Sequence, residues 1–215
     1  MCGIIGSFNK DKLIELSLKN SARGNKAYSL TVIDSNTSLV YKEIKSKGLF
    51  SSEVFDKLGD IELLNVYYIL HIQSPTAVTN LTEDTIHPAV NNNHKIWHNG
   101  MLLPKTIDEL NLKNNSNEQW DTKIILDELV NNGFDCLNGM EGSFGIIYSN
   151  GNKFYMFRNN IIPLFIDNDL NISSAKFENS NLIESNIIYE INFTDKQIIK
   201  FKQITNEHNP YVLKG

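Results

Sequence analysis

The sequence predicts an α+β fold. Short β-rich runs bounded by turn residues recur along the chain, helical stripes are few, and nothing marks a second domain. The chain has 215 residues, enough for one large domain. A domain of this size buries roughly 70% of its unfolded surface, so a core forms without staples.

Taken in order, Gly3 to Phe8 is a short apolar strand. Asp11 to Asn20 reads as a helix with Leu13, Leu16 and Leu18 on its apolar side. Tyr28–Asp34 and Leu39–Ile44 form a hairpin across Ser35–Ser38. Ser51 to Gly59 is a short helix with Ser52 as its cap. Val66–Ile72 is a strand, and Lys95–His98 is another that leads into the turn signal Asn99-Gly100. Leu110 to Gln119 reads as a surface loop.

Asp121 to Asn132 is the clearest helix. Ile124, Ile125, Leu126 and Leu129 supply its stripe, and Gly133 sits where a C-cap glycine belongs. Ser143–Tyr148 and Lys153–Arg158 flank Asn150-Gly151, the strongest hairpin signal. Leu164–Asp167, Asn171–Ser173, Ile187–Phe193 and Ile198–Phe201 are further short strands, and Gln203 onward reads as a polar tail. The whole, residues 1–215, is expected to be a single domain.

Composition narrows the function. Net charge is −5, which argues against a nucleic-acid footprint, since phosphate binding needs clustered Lys and Arg. No run of 18 apolar residues occurs, so no membrane partner is expected. Cys2 and Cys136 cannot build a disulfide framework, which fits a reducing, cytoplasmic setting. His94 and His98 are spaced i, i+4 on a strand, too far apart to chelate, and no metal is expected.

Cys2 has unusual potential. Removal of Met1 would give one residue both a thiol nucleophile and a free α-amine able to act as its base. While Met1 remains, that nitrogen is an amide and accepts no proton. Read alone, Cys2 is better taken as a small residue near a terminus. Asn99-Gly100 alone is a hairpin turn, Asp121 alone an N-cap or first-turn carboxylate, and Arg23 alone a surface residue before a turn glycine.

Together these residues stand in a distinctive order. Cys2-Gly3-Ile4-Ile5-Gly6 is followed by Arg23-Gly24, then His71 after a strand, then Trp97-His98-Asn99-Gly100. Asp121-Thr122 opens a helix, and Glu141-Gly142-Ser143-Phe144-Gly145 leads into a strand. Arg158, Pro163-Leu164-Phe165 and Ser173-Ser174 complete the set. This order resembles the class II glutamine amidotransferase family, whose glutaminase domain is an N-terminal-nucleophile hydrolase. The match runs from Met1 to about Phe193.

The resemblance implies a four-layer α-β-β-α sandwich that hydrolyses the side-chain amide of L-glutamine through a Cys2 thioester, with no cofactor. Asn99 and Gly100 match the oxyanion-hole pair, and Asp121 the carboxylate that holds the substrate ammonium. Arg23 matches an arginine that supports the nucleophile, and His71, Gln73 and Thr76 fall on the substrate-binding segment. In the family the ammonia goes to a synthase or transferase domain; here the chain ends with the glutaminase, which implies a separate ammonia-accepting subunit.

One departure matters. The family pattern has Arg where this chain has Gln73, and a neutral amide is no charged clamp for a carboxylate. Arg23, Lys26 and Lys105 are candidates to compensate. Gln73 also leaves open an N-terminal-nucleophile hydrolase for another amide, or a regulatory or binding subunit with weak turnover.

Overall fold

The structure is a computed structural model, and it describes residues 2–61, 63, 65–74 and 81–206. In chain order the elements are β1 (Gly3–Ser7), α1 (Lys10–Lys19), β2 (Ala27–Asp34), β3 (Leu39–Lys47), β4 (Val66–Gln73), β5 (Ala89–Asn91) and β6 (His94–Leu102). There follow α2 (Pro104–Asn114), α3 (Asp121–Asn132), β7 (Gly142–Ser149), β8 (Phe154–Arg158), β9 (Phe165–Ile166) and β10 (Ile172–Ser173). β11 (Asn181–Leu182), β12 (Ile187–Asn192) and β13 (Gln197–Gln203) complete the elements among the described residues.

Among the described residues, thirteen strands form two antiparallel sheets. A seven-stranded sheet runs β11-β9-β10-β1-β4-β2-β3, and a six-stranded sheet runs β13-β12-β8-β7-β6-β5. Three apolar clusters lie between the layers. Leu13 and Leu16 of α1 pack with Ile5, Leu30 and Leu70 on the first sheet. Ile4, Ile69, Trp97, Ile147 and Phe154 fill the space between the sheets. Ile124, Ile125 and Leu129 of α3 pack with Phe144, Ile146 and Phe157 on the second sheet. The order is helix, sheet, sheet, helix, the α+β sandwich expected of an N-terminal-nucleophile hydrolase.

β1 is a central strand. β4 pairs along it from Gly3↔Ile72 to Ser7↔Tyr68, and β10 pairs on its other edge through Ile5↔Ser173. All five of its residues are buried, which is why its sequence is continuously apolar or small. Cys2 is therefore delivered to a fixed point at the strand's start.

Several elements depart from the sequence expectation. Asn99-Gly100 is no turn: β6 runs through it to Leu102, in register with β7. Asn-Gly signals a hairpin only when the chain reverses there; here the register is unbroken, and Gly100 takes φ +142° within the strand. Half of the expected Leu110–Gln119 loop is helix, because α2 starts at Pro104 and packs Ile107 and Leu110 on the core. Buried Glu128 fastens α2 to α3, accepting from Lys113 Nζ at 2.8 Å and Asn114 Nδ2 at 2.7 Å.

Leu18 is 70% exposed, and Ser17 takes the inward position instead. The 52–58 segment is a 3₁₀ turn capped by Ser51 rather than Ser52. The expected tail at Gln203 begins inside β13, and Ile204 and Asn206 are buried. Asn206 Nδ2 donates to the carbonyls of Leu137 and Met140, which anchors the segment.

Candidate active site

The site forms where β1 begins, beside the ends of β4 and β6 and the start of α3. Cys2 N donates to Asn99 Oδ1 at 3.3 Å, and Cys2 Sγ lies 3.9 Å from the Ser74 carbonyl. Burial pushes the Cys2 thiol up from its ordinary value, and the Asp121 carboxylate pushes the same way. A thiol held up in this way is neutral at physiological pH, and it would need a base to act as a nucleophile.

Asn99 is only 1% exposed. Its Nδ2 donates to Ser174 Oγ at 3.3 Å, and the same hydroxyl oxygen accepts from Ile4 N at 3.0 Å. An amide nitrogen carries two hydrogens, so one remains after Ser174 is served. Asn99 thus holds the Cys2 nitrogen with one end and keeps a free donor at the other.

Gly100 is required by its surroundings. A Cβ there would sit 1.9 Å from the Ser143 carbonyl oxygen, and φ +142° is strained for any L side chain. Asp121 opens α3. Its Oδ1 accepts from Thr122 N at 2.7 Å, and its Oδ2 accepts from Leu102 N at 3.1 Å. The carboxylate therefore ties the helix start to the strand that carries Asn99 and Gly100. The first-turn placement also suits the positive end of the helix dipole.

His71 is wholly buried on β4, one register step from Gly3. Its Nε2–H donates to the His98 carbonyl at 3.0 Å, and burial pulls its pKa down to about 3. It supports the strand behind Asn99 as a neutral ring. Gln73 is 2% exposed and engages at both ends. Its Nε2 donates to the Thr85 carbonyl at 2.8 Å, and its Oε1 faces His87 N and Nδ1 at 3.3 and 3.0 Å. In this arrangement both ends of the Gln73 amide are committed to the 85–87 segment. Thr76 lies outside the described residues.

Arg23 ends a 3₁₀ turn, and Gly24 lies flush against the backbone of Ile72 and Gln73, where a Cβ would come within 2.6 Å. Among the described residues its guanidinium has no hydrogen bond or ion pair, which leaves a half-buried cation near the end of β4. Lys105 is exposed on α2 and pairs with Glu109, and Lys26 is exposed beside Gln73.

Sequence reasoning missed His87, which stacks on His71 with centroids 3.9 Å apart and reaches Thr122 Oγ1 at 3.1 Å. It also missed Asn20, whose Nδ2 donates to Ser173 Oγ at 2.9 Å and whose side chain abuts Gly3. Neither residue belongs to a motif; only the folded sheet brings them close. Among the described residues no group of three His, Cys, Asp or Glu side chains could hold a metal ion. No helix described is long and apolar enough to cross a membrane.

No family model matches the sequence, and no curated protein matches it. Solved structures do. Glutamine phosphoribosylpyrophosphate amidotransferase from B. subtilis, complexed with ADP and GMP, superposes with a TM-score of 0.69 at 16% identity over 95% of this chain. The structure of the allosteric regulatory enzyme of purine biosynthesis superposes with a TM-score of 0.64 at 16% identity over 96% of this chain. In both cases the match spans 50% of the other chain. This chain thus shares the fold of half of an amidotransferase, the fold that its motif order implies.

Proposed function

We propose that the chain is a class II glutaminase domain. It hydrolyses the side-chain amide of L-glutamine to glutamate and ammonia, with Cys2 as nucleophile. The observation that carries this reading is the pairing of Cys2 N with Asn99 Oδ1 at 3.3 Å, with Gly100 and Asp121 on the elements beside it.

The reaction requires removal of Met1, which converts the Cys2 nitrogen from an amide into an amine. The amine takes the thiol proton as Sγ attacks the amide carbon. The oxyanion that forms is met by the remaining Asn99 Nδ2 hydrogen and the Gly100 N–H. The protonated amine then gives its proton to the leaving nitrogen, and ammonia departs, leaving a γ-glutamyl thioester. Water, deprotonated by the same amine, attacks the thioester, and the thiol is restored with release of glutamate. Asp121 holds the substrate ammonium, and Arg23 supplies positive charge near the end of β4.

The ammonia passes to a separate acceptor subunit. Co-purification from the source cell tests it: a second protein held stoichiometrically is expected, and an isolated monomer argues against it.

Glutamine hydrolysis combined with N-terminal mass analysis tests the chemistry. Glutamate release by a chain that lacks Met1 is expected; retained Met1 in an active preparation sinks the mechanism. Gln73 favours a second reading, because its side chain is committed to Thr85 and His87 and brings no cation to a carboxylate. On that reading the substrate is an amide without a free α-carboxylate. A substrate panel separates the two: a glutamine KM of millimolar or lower excludes the second.

A further inference from the structure

A line of buried polar groups runs behind the site, and its hydrogens can be counted. At one end the Gln73 amide is oriented by two backbone groups: Nε2 faces the Thr85 carbonyl at 2.8 Å and Oε1 faces His87 N at 3.3 Å. Exchanging the two would set hydrogen against hydrogen and oxygen against oxygen, so Oε1 is an acceptor. It lies 3.0 Å from His87 Nδ1. At the other end the Ser143 carbonyl, also only an acceptor, lies 3.3 Å from His98 Nε2. Between the rings, Thr122 Oγ1 is 3.1 Å from both His87 Nε2 and His98 Nδ1.

The line has four contacts, and each needs one hydrogen. A neutral His87, a threonine hydroxyl and a neutral His98 supply one each. Three protons therefore serve four contacts, and both ends of the line accept only. The side chains of His87, Thr122 and His98 are almost entirely buried, at 3%, 1% and 2% exposure. Asp121 Oδ1 lies 3.4 Å from Thr122 Oγ1, and any share it takes of the hydroxyl hydrogen deepens the deficit.

We propose that His87, Thr122 and His98 form one proton-sharing chain that takes up a fourth proton jointly, and that this uptake stiffens the brace behind Gly100. The Ser143 carbonyl that ends the chain is the group against which Gly100 packs, 1.9 Å from where a Cβ would stand. A full set of hydrogens makes the His98–Ser143 contact a charge-assisted bond and fixes that carbonyl.

The surrounding charges set where uptake occurs. From β4, His71 stacks on His87; from β3, the Lys45 ammonium repels a proton on His87. From α3, the Asp121 carboxylate draws a proton toward His98. Burial outweighs that attraction and keeps His87 and His98 neutral at physiological pH. The fourth proton is thus bound below the ordinary histidine range of about 6.5.

Nitrogen-15 NMR of the imidazoles in the full chain, followed downward from pH 8, tests the proposal without requiring turnover. His87 and His98 are expected to shift with one common midpoint below that range, with a total uptake of one proton between them. The Gly100 amide is expected to move with the same midpoint. Thr122→Val cuts the line and abolishes the common midpoint, whereas Thr122→Ser keeps it. If Thr122→Val does not fold, the wild-type and Thr122→Ser titrations decide. Separate midpoints for the two rings, or neutral rings down to acid unfolding, overturn the shared proton. A Gly100 amide that ignores a shared uptake overturns the coupling.

Discussion

The Asn99 side-chain oxygen lies 3.3 Å from the Cys2 backbone nitrogen, although the two residues are 97 positions apart in sequence. One side chain thus orients the proposed base and also offers a donor to the proposed oxyanion. Asn99→Ala should lower kcat by about 10²–10³. KM should change little, because the donor acts on charge that develops during reaction. A steady-state comparison with a thermal melt checks it; a pure KM effect would move Asn99 to substrate binding.

The two thiols should differ sharply. Cys2→Ala is expected to abolish turnover, and a glutamine-like diazo-ketone should label Cys2 alone in a chain that lacks Met1. Cys136 should resist labelling at pH 7–9, because burial, with Glu128 adding to it, pushes its thiol up to about 12. Peptide mapping after labelling reads both sites at once.

Gln73→Arg should destabilise rather than improve the protein. The change places a cation at a residue that is only 2% exposed, and removes one hydrogen bond each from the Thr85 carbonyl and the His87 ring. A loss of about 3 kcal/mol is expected, as for other unpaired buried groups. Denaturant unfolding measures it. A stable variant with a lower glutamine KM would show that position 73 turns toward the substrate.

Gly100→Ala should cost both fold and activity. The new methyl meets the Ser143 carbonyl, and φ +142° resists any Cβ. About 3 kcal/mol or more is expected from strain of this kind. Circular dichroism melts of the variant check it; a wild-type melting temperature would mean that β6 and β7 part without cost.

Stability should fall as pH drops below neutral. His71 has a folded pKa of about 3, against about 6.5 unfolded, so the unfolded chain binds more protons between those values. Stability therefore rises with pH in that window and is flat above it as far as this residue is concerned. The slope from His71 alone is about 1.4 kcal/mol per pH unit at its steepest. Urea unfolding at pH 7, 6, 5 and 4 measures it, and His71→Asn should reduce the slope, leaving the share that buried His87 and His98 contribute.

The outline of the fold was legible because its signals are local. The Asn150-Gly151 hairpin, the α3 stripe and the apolar β1 each declare themselves within ten residues or so. α2 was obscured by its polar second half, where Asn111, Lys113 and Asn114 look like loop, although Pro104 with Ile107 and Leu110 marks a helix start. Of the site, Cys2, Asn99, Gly100 and Asp121 were readable as an ordered set. The direction of Gln73 was not, since only the packing of the 85–87 segment on β4 decides whether its amide faces the substrate or the protein. His87 was hidden for the same reason: its role exists only through rings on other strands.

The placement of Cys2 at the head of a central strand has a practical consequence for anyone who makes this protein. Ile4 and Ile5 are fully buried just behind it, so the chain enters the core within three residues of Cys2. An affinity tag fused at this end, or one residue left by a tag-removing protease, would keep the nitrogen an amide. A purified sample could then look well folded by every optical measure and still show no reaction. Tags belong at the far end of the chain, and the mass of the first peptide should accompany any report of inactivity.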